Sequence, residues 1–314
     1  MLKLTYRSPD IGSRSRMIIR FFGVLSIVPG AIIMELAPAL ALDGSDASTG
    51  KSVPLTSFTS GQEALRVGEE DLRAGKMEAS VAALTYAAES GQGIARWKLG
   101  QMYAKGDGVP RDDSKAYHYF NQLVEGYDED QPEQQDVTAI SDAFVAVGVY
   151  CLNGIPDSDV RADPQRAHEL FQYAATTFAD PNAQYNLARM YMIGAGGLAK
   201  DNIAAIRWLA LAAKAGHPPS QALLGHMLFV GNGVLDQRAR GLMWLELAKD
   251  GAPNPKGEWI RDLYQRDFRA ATDNERLAAA NMRDARAKGT SPPLPTRSSV
   301  TSFLQPFGVL PAGQ

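Results

Sequence analysis

Cysteine is almost absent: Cys151 is the single thiol among 314 residues. An internal disulfide is therefore excluded, and with it the staples that exported repeat proteins often use. Histidine is nearly as scarce, and His118, His168, His217 and His226 show no metal-ligand spacing, so no metal or cofactor is expected. No basic run is long enough for a nucleic-acid face, and the net charge is only −3, so nucleic acid is not an expected partner. No apolar run reaches the roughly 20 residues that a membrane-spanning helix needs. Carboxylates are plentiful but none forms a recognisable acid–base pair in an apolar setting, which argues against an enzyme. Cys151 reads as a buried small hydrophobe. A catalytic thiol is the sharper alternative, and no His lies at a comparable site nearby in the sequence.

The first 41 residues have the order of an export signal. Arg14, Arg16 and Arg20 precede fourteen uncharged residues, Phe21 to Met34, and Ala37-Pro-Ala-Leu-Ala41 follows. Basic, apolar and small-residue segments in that order read as a cleavable signal peptide over 1–41, with Met17 as an alternative start. An uncleaved anchor is the competing reading, but the apolar stretch is short and contains Pro29 and Gly30. Without these residues 27 basic and 33 acidic side chains remain, a net of −6. The expected location is the periplasm, with no membrane insertion after signal removal. Residues 42–60 read as a flexible lead-in. Residues 288–314 are rich in Pro, Ser and Thr and read as a disordered tail.

Between these ends a helix-pair pattern returns five times over 61–252. The clearest copy runs Ala95, Leu99, Gly100, Met102, Tyr103, Gly106, Gly108, Ala116, Tyr119, Phe120. Another runs Ala183, Leu187, Ala188, Met190, Tyr191, Gly194, Gly196, Ala205, Trp208. A third runs Ser220, Leu224, Gly225, Met227, Leu228, Gly231, Gly233, Trp244. Ala183 and Ser220 begin these last two copies 37 residues apart. Such a period means stacked helical hairpins, each burying its apolar face against the next. Within helix A, Ala95, Leu99, Met102 and Tyr103 fall on one face. Small residues at Gly100, Gly148, Ala188 and Gly225 suggest backbone-to-backbone approach of helices A and B. The loop glycines would end helix A with a positive φ. A phosphate-cradling role for Gly106-Asp107-Gly108 lacks both the following Lys-Ser/Thr and a preceding strand. Asp163-Pro164, Asp180-Pro181 and Thr272-Asp-Asn-Glu275 mark helix starts. Tyr119, Trp208 and Trp244 read as packing between repeats. The third copy is expanded over 127–180, with an acidic insert at Tyr127–Glu133 and a long loop at 153–163. Residues 253–287, with Trp259, Leu263, Tyr264 and Phe268, read as closing helices.

The pattern A-x3-L-G-x-M-Y-x2-G-x-G-V, then A-x3-Y/W and A-A-x2-G, resembles the Sel1-like repeat, a relative of the tetratricopeptide repeat. The resemblance implies an all-α fold, a right-handed superhelical solenoid of Sel1-like helix hairpins, with helix A lining a concave face. A finer resemblance rests on Ala87-Ala-Glu-Ser-Gly91, Arg96-Trp97-Lys-Leu-Gly-Gln-Met-Tyr103, Gly154-Ile-Pro-Asp157, Gln172-Tyr-Ala-Ala175, Leu187-Ala-Arg-Met190 and Ala239-Arg-Gly-Leu242. These are similar to ExoR-type regulators of rhizobia and related alphaproteobacteria. That resemblance implies a periplasmic negative regulator of exopolysaccharide production. Its implied partner is the periplasmic domain of an ExoS-type sensor histidine kinase paired with a ChvI-type response regulator. Self-association is a further option.

On that fold, helix A positions facing away from the repeat core are expected to line the groove. These are Arg96, Lys98 and Gln101, then Gln184, Asn186 and Arg189, then Gln221, Leu223 and His226. The third copy has Phe144, Ala146 and Val149 there, an apolar patch flanked by polar repeats. Phe144 and Val149 are the expected anchors, with Arg96, Lys98 and Arg189 steering an acidic partner segment. The alternative is that the acidic insert or the next helix folds over the patch. Competing functions are an envelope scaffold for polysaccharide or cell-wall machinery, and an exported hydrolase.

Overall fold

The computed structural model describes residues 58–130, 136–232, 237–253, 255 and 257–289. The expected signal peptide, all but the last three residues of the lead-in, Gly233, and the expected tail from residue 290 onward lie outside the described residues. Twelve α-helices and no strand are present among the described residues. They form pairs: α1 Gly61–Arg73 with α2 Met77–Glu89, α3 Gly93–Lys105 with α4 Asp113–Glu125, and α5 Val137–Asn153 with α6 Pro164–Thr177. Next come α7 Pro181–Ile193 with α8 Asn202–Lys214, and α9 Pro218–Val230 with α10 Arg238–Gly251. Two further helices, α11 Glu258–Ala270 and α12 Asp273–Ala287, follow where closing helices were expected, and each packs against α10.

Local chemistry fixes the ends. Asp112, Asp136, Asp163, Asp180 and Asp201 each cap the following helix, their carboxylates accepting from backbone N–H groups of the first turn. Pro164, Pro181 and Pro218 sit in first turns, where a missing N–H costs nothing. Thr272 and Glu275 form the expected capping box. Gly106, Gly194 and Gly231 end α3, α7 and α9 at φ +71°, +74° and +69°, a region open to glycine. The A–B loops of the second to fifth hairpins are then closed in the same way. The N–H groups of Asp112, Asp163, Asp201 and Gln237 donate to the carbonyls of Tyr103, Cys151, Tyr191 and Leu228, at 3.0, 2.6, 2.9 and 3.0 Å.

The core runs through the hairpins. Leu99, Leu187 and Leu224 are fully buried on the A helices, facing Leu84, Phe171, Leu209, Trp244 and Leu245 from the B helices. Tyr103 is half-buried and stacks on Tyr119, with ring centroids 6.0 Å apart. Trp244 is buried, and Trp208 packs partly buried against two core clusters, as repeat-to-repeat packing requires.

The small residue of helix A departs from expectation in two hairpins. A Cβ on Gly100 would meet the Phe120 ring at 2.8 Å, and one on Gly148 would meet the Phe171 ring at 2.6 Å. There the glycine makes room for an aromatic side chain of helix B. In the fifth hairpin backbones do meet, a Gly225 Cβ falling 2.7 Å from the Gly241 carbonyl oxygen. Among the described residues no helix is long and apolar enough to cross a membrane.

Candidate protein-binding face

The position after the small anchor of helix A does not face the groove. Arg96, Gln184 and Gln221 occupy it in three hairpins, and each turns back to the end of the preceding B helix. Arg96 Nε donates to the Ala88 carbonyl at 3.2 Å, Gln184 Nε2 to Ala175 at 3.5 Å and Gln221 Nε2 to Ala213 at 3.1 Å. These carbonyls lie in last turns, where a helix leaves acceptors without intrahelical donors. Gln184 and Gln221 are buried and Arg96 is half-buried. The expectation that Gln184 contacts a partner is therefore corrected, since it is buried in the tie between hairpins, whereas Arg96 makes the same tie and stays partly exposed.

Phe144 holds the same position in the third hairpin and is also in the core, 7% exposed. It stacks on Tyr173, with centroids 4.8 Å apart and planes at 20°, and meets Tyr127 and Phe178 edge-on. Tyr173 donates its hydroxyl to Glu129 at 2.7 Å, which fixes the start of the acidic insert over the cluster. Phe144 is thus no exposed anchor. The insert and the next helix cover it, the alternative set out above. The reason is the connection before α5, residues 126–136, against three residues before α3, α7 and α9. The longer link carries Tyr127 into the joint, and an apolar ring replaces the amide or guanidinium.

The remaining expected residues keep at least part of their surface exposed on their A helices. Lys98 is 23% exposed and pairs with Glu69 of α1 at 3.3 Å. Gln101 accepts from Lys105 Nζ at 2.8 Å. Val149 is 37% exposed. Arg189 is exposed, with its guanidinium 5.7 Å from the Tyr185 ring. Rows four residues apart run along four A helices: Trp97, Gln101, Lys105 on α3; Val145, Val149, Asn153 on α5; Tyr185, Arg189, Ile193 on α7; His226, Val230 on α9, where Ala222 one turn earlier is buried. Contacts that the sequence did not announce join these rows. Trp97 donates to Asp142 across α3 and α5 at 3.1 Å, and His226 meets the buried Asp267 of α11 at 2.7 Å. Ile193 and Val230 are 74% and 52% exposed at the last positions of α7 and α9. Their signal was readable: each directly precedes a helix-ending glycine, where α3 has Lys105.

Burial tunes several groups near this face. Desolvation raises the Asp142 carboxyl despite its Trp97 partner. Burial lowers the His217 imidazole, and Asp180 opposes that. Burial likewise pushes up the Cys151 thiol, which makes it less reactive, as expected for a packed hydrophobe. Cys151 contributes to the rim of an open depression of about 780 Å³ formed with Tyr117 and the 159–166 loop. Among the described residues no three His, Cys, Asp or Glu side chains gather as metal ligands would.

The repeats match known sequences. The Sel1 repeat model matches residues 93–126, 142–176, 181–217 and 218–252. Two curated relatives, each called an exopolysaccharide production negative regulator, match most of the chain. The one from Rhizobium leguminosarum bv. viciae is 33% identical over 82% of this chain and 94% of its own length. The one from Rhizobium meliloti is 34% identical over 82% of this chain and 90% of its own length. The chain belongs to this family of Sel1-repeat exopolysaccharide-production negative regulators. Solved structures of similar fold include the uropathogenic Escherichia coli protective antigen c5321, at TM-score 0.56 and 20% identity, covering 81% of this chain and 50% of that one. A Sel1 repeat protein from Oxalobacter formigenes superposes at TM-score 0.52 and 24% identity, covering 73% of this chain and 88% of its own. At these identities the likeness concerns the fold, an all-α solenoid.

Proposed function

We propose that this chain is a periplasmic negative regulator of exopolysaccharide production that acts by binding the periplasmic domain of an ExoS-type sensor histidine kinase. The observation that carries the regulatory reading is the match to two named regulators over at least 90% of their own lengths. The binding mode is supported by the solenoid, whose stacked hairpins present an extended surface, and by a helix-A face with side chains free to meet a partner. The kinase and the periplasm come from the family resemblance and from the export-like order of residues 1–41. The chain restrains the pathway by occupancy, so its loss releases polysaccharide synthesis.

Two measurements test this. Deleting the gene is expected to raise exopolysaccharide output; lowered output would instead favour an envelope scaffold for polysaccharide export. Calorimetry of the chain from Leu42 onward against the kinase's periplasmic domain is expected to give saturable heat. No heat at tens of micromolar, on the order of the weakest transient complexes, would overturn the kinase as partner.

A further inference from the structure

The exposed apolar side chains of the A helices are not scattered. Ile193 and Val230 hold the same final position on α7 and α9, and Val149 stands one turn before the end of α5. Three successive hairpins thus offer an apolar side chain at the glycine-loop end of helix A. The matching end of α3 is polar, with Gln101 and Lys105.

Charge on the same helices is one-sided. Helices α3, α5, α7 and α9 contain four cations, Arg96, Lys98, Lys105 and Arg189, and one carboxylate, Asp142. Arg96 is used in a joint, Lys98 pairs with Glu69, and Asp142 is held by Trp97. Lys105 and Arg189 are exposed and outside the close ion pairs of the described residues, although Lys105 stands near enough to Asp142 to favour its charged form and Arg189 lies by the Tyr185 ring. This happens in a chain of net charge −3, and it is confined to these four helices: α1 carries Glu63, Glu69, Glu70 and Asp71 beside Arg66 and Arg73. The polar end of the row and its middle are cationic; the far end is apolar.

From this arrangement we infer that the helix-A face binds an acidic, apolar segment of a partner protein, with Val149, Ile193 and Val230 taking its apolar side chains and Lys105 and Arg189 its carboxylates. The inference rests on the binding reading above but not on the kinase. Apolar contacts supply affinity while exposed charges set approach and sign preference, so binding weakens with salt.

The test uses the chain from Leu42 onward and two fluorescent sixteen-residue probes, one of leucine and glutamate, the other of leucine and lysine, followed by anisotropy. Saturable binding of the acidic probe alone is expected. The Ile193→Asp/Val230→Asp pair should weaken it about tenfold or more, near 1.4 kcal/mol. Lys105→Glu/Arg189→Glu should remove its salt dependence. Leu211→Asp, at an exposed position on α8, should leave binding and melting temperature unchanged. Equal binding of both probes, no saturable binding, or indifference to the Ile193/Val230 pair overturns the inference. So does a dimer in sedimentation that the pair dissolves, since the occupant is then a second copy. So does acidic-probe binding that appears only after residues 290–314 are removed, since the occupant is then the chain's own tail. Probe binding with no kinase heat would retire the kinase and keep the face; kinase heat unaffected by the pair would do the reverse.

Discussion

The third and fourth hairpins use one position in opposite chemical ways. In the fourth, Gln184 follows the anchor Ala183 and reaches the Ala175 carbonyl. In the third, Phe144 follows Ala143 and stacks into a cluster with Tyr127, Tyr173 and Phe178. Both side chains are buried and both join their hairpin to the preceding helix. Register therefore turns this position toward the preceding helix. The length of the connection decides what fills it: a three-residue turn leaves a carbonyl within reach, and residues 126–136 instead deliver an aromatic ring. A polar-to-apolar change along a repeat is thus not a sign of exposure when the neighbouring link has changed too.

The largest effect should come from breaking the aromatic joint. Phe144→Ala is expected to lower stability by about 3–5 kcal/mol, the range for a buried Phe that leaves a cavity, read from the denaturant midpoint. A loss under about 1 kcal/mol would mean that the joint has collapsed around the gap. The fifth hairpin sharpens the comparison, because backbones meet there. Gly225→Ala drives a methyl toward the Gly241 carbonyl, whereas Gly148→Ala meets the edge of the Phe171 ring. Overpacking of this kind costs about 1–3 kcal/mol, and Gly225→Ala should be the costlier of the two in thermal melts.

The polar joints should cost less. Gln184→Ala removes one donor from the Ala175 carbonyl and should cost about 1 kcal/mol. Gln184→Leu should do little more, because the Gln184 Oε1 is buried with no hydrogen-bond partner and its removal relieves that penalty. A Gln184 loss equal to that of Phe144 would end the distinction between the two joints. The smallest expected effect is on pH. His217 is lowered by burial, so its neutral form is favoured in the folded chain. The stability it contributes is complete above the unfolded histidine value, about 6.5, and is lost as pH falls through that value toward the folded one. His217→Gln should flatten the midpoint difference between pH 7.5 and pH 5.5, values chosen about one unit either side of the unfolded value.

The hairpin order, the capping aspartates and the loop glycines were legible because each depends on a few adjacent residues. Asp163-Pro164 and Asp180-Pro181 cap as read, and Gly106 and Gly194 take positive φ as read. The helix-A face was legible only in part. Lys98, Gln101, Val149 and Arg189 keep exposed surface, whereas Phe144 and Gln184 are buried in joints and Arg96 is half-buried in one. A helix has several sides, and helical spacing tells the core from the rest without telling the groove from the joint. That separation depends on where the previous helix ends. Asp267 and its His226 contact escaped notice for the same reason: they are 41 positions apart and meet only when α11 docks on α9.

Cys151 gives the middle of the array a built-in clock. It is 3% exposed between α5 and the following hairpin helix, and its backbone carbonyl closes the third loop. Cys151 borders the open depression beside the 159–166 loop but is itself nearly covered, so its labelling rate reports how readily that loop and the hairpin under it loosen. No second thiol competes for the label. The unmodified chain can thus be followed residue-specifically while a partner binds. A ligand that clamps the A helices should slow the clock, and one that merely touches the ends should leave its rate unchanged.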